Sequence, residues 1–454
     1  MGSLACMLRD AGHKVAGSDR EIFPPMSDVL LNAGIKLDED YNPADMGLPD
    51  LVIIGNAISR GNSQVEHALN KNMPYCSMPA ALWRFFLHDK DVIAVAGTHG
   101  KTTTTALLSH ILISAGYDPG CFIGGVTNNY DSNYRIGGGK YFVIEADEYD
   151  SAFFEKVPKF MSYRPRHLIM TSLEFDHADI YSSLSEIELW FKRLVNIVPS
   201  GGNVAYCVQY PLLAKIAAAS FAPVFSFGTD ETADIFCRFN RYSEDHTEFV
   251  LSSSETGAFS CSTSLFGDFN LANIAAASSM AIKLGVDIGA IAAALSSFKG
   301  VKRRQELIFS SSHVKVYEDF AHHPTAIRAV LETMRQRYPD SKIFAVYEPR
   351  SATSRRNSLQ EETSSAFQSA DEVFIKFPFN IAVIPEAERI DIEYVVGRIN
   401  AGKTPASLFN NVDAIIDAVC AKTGSTKEQC IIIIMSNGGF DGIYEKIIKK
   451  LETL

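Results

Sequence analysis

Short apolar runs alternate with helix-period segments along most of this chain. Runs such as Val92-Ile93-Ala94-Val95, Leu168-Ile169-Met170 and Ile431 to Met435 lack alternating polar positions, the mark of strands buried on both faces of a parallel sheet. Between them apolar residues recur three and four apart, as Leu107, Leu108, Ile111 and Leu112 do before Ala115-Gly116, so helices are predicted to cover both sheet faces. The predicted fold class is α/β.

Three blocks follow from the same pattern. Block 1–89 opens on a helix marked by Leu4, Ala5, Met7 and Leu8, with strands at 14–19 and 51–55. The first of these strands ends on Asp19, an acid placed where a ribose hydroxyl is often held. Block 90–299 carries strands at 92–95, 141–144, 168–170 and 204–206, and closes at Phe298-Lys299-Gly300. Block 300–454 has strands near 315–317, 343–347, 373–375 and 431–435. The triplets Ser252-Ser253-Ser254 and Ser310-Ser311-Ser312 are expected in loops.

A length of 454 residues exceeds one hydrophobic core and agrees with two or three domains. No apolar run reaches the span of a bilayer helix and the N-terminus lacks signal-peptide order, so a cytoplasmic protein without membrane insertion is expected. The eight cysteines stand singly, without a CxxC pair, and are expected as small core residues in a reducing compartment rather than zinc ligands. A net charge of -11 argues against nucleic acid as a partner, leaving local Lys and Arg clusters to small anions.

The sharpest chemical signal is Gly97-Thr98-His99-Gly100-Lys101-Thr102-Thr103, set between a buried-type strand and a helix. Glycines there let backbone approach a polyphosphate, N–H groups at the new helix face its charge, Lys101 reaches phosphate oxygens, and the Thr102 hydroxyl suits Mg2+. The usual first glycine of such a loop falls on Val95. ATP or GTP is the expected ligand. Glu145, Asp147 and Glu148 follow one strand, and Glu174, Asp176, His177 and Asp179 the next, so both groups are predicted at the sheet edge where the phosphate loop opens. Mg2+ takes only one or two protein oxygens, so most of these acids are expected behind the ligands. His177 reads equally as a capping histidine.

Five ordered stretches resemble the motifs of the Mur ligases over nearly the whole chain: the loop at 97–102, Glu145-Ala146-Asp147-Glu148, Glu174 to Asp179, Gly267-Asp268-Phe269-Asn270-Leu271-Ala272-Asn273, and Asp319-Phe320-Ala321-His322-His323-Pro324-Thr325. Residues 55–62, 159–166, 348–351 and 435–440 look like the branch that adds a whole peptide rather than L-alanine alone. The resemblance implies three domains: a Rossmann-like UDP-binding domain (1–89), a central P-loop ATPase domain (90–299) and a Rossmann-like C-terminal domain (300–454). It implies a monomeric ligase of peptidoglycan recycling, using ATP and Mg2+ to join the tripeptide L-Ala-γ-D-Glu-meso-diaminopimelate to UDP-N-acetylmuramate through an acyl phosphate. Alternatives are the L-alanine-adding ligase and a catalytically disabled ATP-binding protein.

By the same resemblance, Lys101, Glu145 and His177 are catalytic, with Thr102 and Glu145 on one Mg2+ and His177 on a second. ATP would also meet Gly97, Thr98, His99, Gly100, Thr103, Asn270, Asn273, Arg304 and Asp319. Ser18, Asp19, Asn56 and Arg60 would face the UDP-sugar; Arg350, Ser351, Arg355, Arg356, Asn437 and Gly438 would face the acceptor, since arginines match the carboxylates of the tripeptide. Each of these arginines reads equally as a surface-loop residue. Three departures stand out. Phe269 replaces a histidine beside the adenine site, Lys192 is the position of a carbamylated lysine in some members, and the expected first strand and glycine-rich turn of the UDP domain would precede Met1. The start is therefore expected to be internal to the natural protein, or the UDP pocket open. ATP contacts from two blocks require closure about hinges near 88–91 and 298–301, so a ligand-free form is expected open, with Arg304 and Asp319 far from Lys101.

Overall fold

The continuous apolar runs form the inner strands of two parallel sheets in this structure, a computed structural model that describes every residue except 21, 23–25, 244, 403 and 454. Among the described residues the larger sheet has ten strands, in the order Gly257–Thr263, Thr247–Ser253, Ile235–Tyr242, Val224–Gly228, Asn203–Cys207, His167–Met170, Asp91–Ala96, Tyr141–Ala146, Gly120–Thr127 and Ser132–Arg135. Its inner strands are parallel, and both edges turn antiparallel. The helices Lys101–Ser114 and Asp268–Lys283 cover it, each buried along most of its length. Ser252 and Ser253 end the strand Thr247–Ser253 and pair with Ala258 and Gly257 of the edge strand, against the expected loop. Ser310 likewise ends the strand Glu306–Ser310, and only Ser311 and Ser312 lie beyond it.

The second sheet has six strands, Glu306–Ser310, Val314–Asp319, Cys430–Met435, Lys342–Tyr347, Glu372–Lys376 and Ala406–Phe409, parallel after the first pair. Cys430–Met435 lies at its centre, buried at every position. Truncating Ile433 there to Ala would cost about 2–5 kcal/mol.

Residues 1–89 differ. The helix Gly2–Asp10 forms as expected, but its neighbours make two separate parallel pairs, Ala16–Ser18 with Lys36–Asp38 and Val52–Ile54 with Tyr75–Ser77. The helix is fastened to the larger sheet by Ser3 bonding Asn133 and Tyr134 bonding Asp10. The expected hinge at 298–301 is pinned to the larger sheet: Asn128 N–H donates to Gly300 O and Val301 bridges to Thr127. The chain turns just after it, at Arg303 and Gln305, both with left-handed backbone (φ 63° and 49°). No helix among the described residues is long and apolar enough to cross a membrane.

Candidate active site

Strand Asp91–Ala96 delivers the phosphate loop to the carboxyl edge of the large sheet, and helix Lys101–Ser114 leaves it. Gly97 and Gly100 both have positive φ (144° and 81°), and a Cβ on either would fall about 2 Å from Thr171 Oγ1 or Asn273 Oδ1, so only glycine fits. Thr98 Oγ1 accepts from Glu174 N–H at 2.9 Å and His99 N–H donates to Ser172 Oγ at 2.7 Å, tying the loop to the neighbouring strand end. Thr103 is buried beneath.

Lys101 Nζ folds over its loop, donating to Gly97 O at 2.7 Å and to Glu148 Oε2 at 2.8 Å. Burial opposes the ammonium, but the charges of Glu148, Asp147 and Glu145 outweigh it and hold the pKa above the ordinary lysine value. The other oxygen of Glu148 lies 3.3 Å from His177 Nε2. Glu148 is 2% exposed; burial alone would raise its pKa, yet Lys101 and His177 pull it down to about 2. Burial also opposes charge on His177, which the Glu148 bond and the charges of Glu148 and Asp176 nevertheless raise. His177 has φ 55°, a left-handed backbone that a histidine adopts only when its surroundings enforce it.

Glu145 Oε1 accepts from Thr102 Oγ1 at 2.9 Å and Oε2 from Gly124 N–H at 2.6 Å. Burial first, and the Asp147 charge second, raise the Glu145 pKa. Adjacent ligands of an octahedral Mg2+ stand about 2.9 Å apart, so this hydroxyl–carboxylate pair fits such an ion. The loop backbone, Lys101 and the helix N-terminus likewise fit a polyphosphate.

The second sheet closes on this edge, against the expected open form. Arg304 NH2 donates to Thr102 Oγ1 at 3.1 Å, its guanidinium 4.6 Å above the Phe320 ring. Asp319 is turned to its own chain, accepting from Gln305 N–H at 2.8 Å and Ala321 N–H at 2.7 Å. Asn270 and Asn273 reach the loop but face inward: Asn270 donates to Phe266 O at 2.8 Å, Asn273 donates to Asn270 at 3.2 Å, and Thr104 donates to Asn273 at 3.3 Å. They brace the loop here instead of presenting amides outward. Phe269 packs against the core of the second sheet.

The acceptor candidates separate. Arg350 lies 3.8 Å above the Phe379 ring with Glu348 3.6 Å away. A Cβ on Gly438 would fall 2.1 Å from Arg350 Nε, so glycine makes room for this arginine. Asn437, the residue before Gly438, has its Oδ1 buried without a bond partner among the described residues. Ser351 Oγ accepts from Ser354 N–H, closing a turn. Arg355 is spent on the carbonyls of Phe379 and Asn380, and Arg356 on Glu388 and Ala352 O, so both hold loops together.

The first block brings its candidates together least. Ser18 ends a strand, Asp19 accepts from Tyr41 at 3.2 Å, and Arg60 is paired bidentately with Glu66 at an exposed position. Asn56, with its amide reversed, donates to Asp150 at 3.1 Å. Lys192 is exposed and paired with Glu188 one helical turn away.

Sequence reasoning missed several residues. Glu148 stood among the acids without a role, although it joins Lys101 to His177. Thr353 Oγ1 donates to Asp176 Oδ1 at 2.6 Å across the domain seam, 177 residues apart. Arg303 donates to the carbonyls of Ser436 and Gly438 at 3.0 and 2.7 Å and to Glu318 at 2.6 Å. Buried Glu348 gathers Lys376 and Ser436 beneath Arg350. No short-range signal marks these pairs, whose partners are distant in sequence.

Three family models match in order along the chain: the Mur ligase family catalytic domain over 1–90, the Mur ligase middle domain over 95–281, and the Mur ligase glutamate ligase domain over 303–438. A UDP-N-acetylmuramate--L-alanyl-gamma-D-glutamyl-meso-2,6-diaminoheptandioate ligase of Escherichia coli (strain K12) is 40% identical over 99% of this chain and 96% of its own. The chain belongs to the Mur ligase family. Like that family, it is an ATP-dependent ligase forming a carbon–nitrogen bond, and the expected three-domain α/β architecture is observed. The Haemophilus influenzae protein of the same description is 36% identical over the full chain and 97% of its own. Among solved structures, a murein peptide ligase from Psychrobacter arcticus 273-4 superimposes with TM-score 0.74 at 34% identity, covering 100% of this chain and 97% of its own.

Proposed function

We propose that this Mur ligase joins the tripeptide L-Ala-γ-D-Glu-meso-diaminopimelate to the lactyl carboxylate of UDP-N-acetylmuramate in peptidoglycan recycling. The observation that carries this reading is the full-length likeness at 40% and 36% to two ligases of that description, against 29–32% for the alanine-adding relatives.

The chemical difficulty is that a carboxylate must approach a triphosphate of like charge. Lys101 and Arg304, brought to the same loop from opposite domains, lower that repulsion and stabilise charge developing on the transferred phosphoryl group. Mg2+, when bound at Thr102 and Glu145 with a second ion at His177, would supply further neutralisation. The lactyl carboxylate takes the γ-phosphoryl group, ADP leaves, and the tripeptide's α-amine displaces phosphate from the acyl phosphate. Glu148 holds the Lys101 ammonium and the His177 ring in register for both steps. Arg350, with Gly438 clearing its place and Asn437 beside it, takes a carboxylate of the acceptor. Asn270, Asn273 and Asp319 would meet the nucleoside only after releasing their present internal bonds.

In this division of labour residues 1–89 bind the UDP-sugar through Ser18, Asp19, Asn56 and Arg60, 90–299 bind ATP, and 300–454 bind the acceptor. The protein acts as a cytoplasmic monomer. Phosphate release with Mg-ATP and UDP-N-acetylmuramate, offered the tripeptide or L-alanine separately, tests the assignment. Release with the tripeptide and a matching mass gain on the UDP-sugar is expected; release with L-alanine alone would move the chain to the alanine-adding branch.

A further inference from the structure

His99 on the phosphate loop, Glu174 on the next strand end and His323 from the second sheet meet across the domain seam. Their ligand atoms all lie within 4.8 Å of one another. His99 Nε2 is 3.3 Å from Glu174 Oε2, and His323 Nδ1 is 3.5 Å from the same oxygen. In a tetrahedral zinc site with bonds of about 2.0–2.1 Å, neighbouring ligand atoms stand about 3.3–3.4 Å apart, so two edges are already at that length.

The hydrogen bonds explain why a cation belongs there. His323 Nε2 lies 3.3 Å from Phe175 O, which can only accept, so the ring proton is assigned to Nε2 and Nδ1 carries a lone pair. That lone pair takes only a long bond from Thr325 N–H, 3.3 Å, and otherwise faces a carboxylate oxygen. These two electron-rich atoms stand 3.5 Å apart with no proton between them, and a cation there would be held by both. Glu174 is oriented by Thr325 Oγ1 donating to Oε2 at 2.7 Å, and His323 by Phe175 O, the kind of outer support that metal-binding carboxylates and imidazoles use. Two imidazoles and one carboxylate favour a borderline ion such as Zn2+ over Mg2+. His323 is 7% exposed, while the side chains of His99 and Glu174 are about a quarter exposed and leave an entry path.

We propose that His99, Glu174 and His323 form a transition-metal site of the Zn2+ class that staples the phosphate-loop domain to the C-terminal domain. Its ligands come from both sides, so an ion bound there favours the closed arrangement. The site is separate from the Mg2+ positions at Thr102, Glu145 and His177, and the inference stands whichever acceptor the ligase uses.

The test uses the full chain, stripped with EDTA and titrated with Co2+. One equivalent should bring visible d–d bands of tetrahedral coordination, abolished by one equivalent of Zn2+. H323N keeps a side chain able to cap the helix Pro324–Arg337, and E174Q keeps its size; each should weaken Co2+ binding at least tenfold while H177N leaves the bands unchanged. Unfolding midpoints measured in EDTA confirm that both variants fold. Absence of the bands in the unaltered protein, equal affinity in H323N and E174Q, or their loss in H177N would overturn the proposal.

Discussion

The seam between the two large sheets and the first 89 residues are built on opposite terms. At the seam, Arg304 reaches Thr102, Thr353 reaches Asp176 and Thr325 reaches Glu174, each at 2.6–3.1 Å and at least 151 residues apart. In the first block the candidate side chains bind near neighbours or remain exposed, and the strands form two separate pairs. The side chains proposed for phosphoryl transfer are thus joined across the seam, whereas those proposed for donor recognition are not brought together.

The severest way to break this contrast is Lys101→Ala. It should lower kcat for phosphate release about 10²–10³-fold, the scale for losing one charge-stabilising donor, and leave Glu148 short of its main partner. Breaking a buried pair costs about 3–5 kcal/mol, which urea unfolding would register. Retained turnover would mean that the assembled site is not the site of chemistry. Arg350→Ala should raise the tripeptide KM about tenfold or more while sparing the ATP KM, from loss of a charged hydrogen bond of about 1.5–3 kcal/mol. Equal changes in both constants would remove Arg350 from the acceptor pocket.

Thr353→Val should sharpen the comparison at the seam itself. Asp176 Oδ1 would keep its bond from His177 N–H and lose the one across the seam, about 1.5–3 kcal/mol for a hydrogen bond to a charged group, so kcat/KM should fall about tenfold and solution scattering should show a more open molecule. A variant that stays closed with unchanged rate would place closure elsewhere. Burial lowers the His323 pKa to about 4, from 6.5 in an open chain. A histidine so depressed takes up its proton more readily when unfolded, so its contribution is complete above about pH 6.5 and falls away toward pH 4. Thermal unfolding scans in EDTA should therefore lose midpoint across that window, with a shallower slope in H323N. An identical slope would assign the acid sensitivity to other groups, such as His167, also lowered to about 4 by burial. The smallest effect belongs to the first block: Arg60→Ala should leave the unfolding midpoint nearly unchanged, because its pair with Glu66 is exposed. A tenfold rise in the UDP-sugar KM would show that the donor draws Arg60 away from Glu66.

What could be read from the chain follows the same division. The phosphate loop, the acids after two strands and the inner parallel strands were legible because their signals are local: glycine spacing, a strand before and a helix after. Thr353–Asp176 and Glu348–Lys376 were not, since nothing near either residue encodes its partner. The strand Thr247–Ser253 is hard to read because its inward positions include Ser253 and Thr247, so its alternation carries little hydrophobic contrast. Asn270 and Asn273, expected to meet ATP, lie beside the loop, and their inward orientation depends on Phe266 O and Thr104, which spacing does not reveal. The closed seam was missed because a charge pattern does not state which of two domain arrangements is adopted.

Arg303 and Arg304 leave one turn and both lie over the Phe320 ring, yet the first grips the carbonyls of Ser436 and Gly438 and the second touches Thr102. A small molecule wedged under the 436–438 segment would tug on the first arginine and withdraw the second from the phosphate loop. An inhibitor of that design would suppress turnover without competing with ATP for its own pocket.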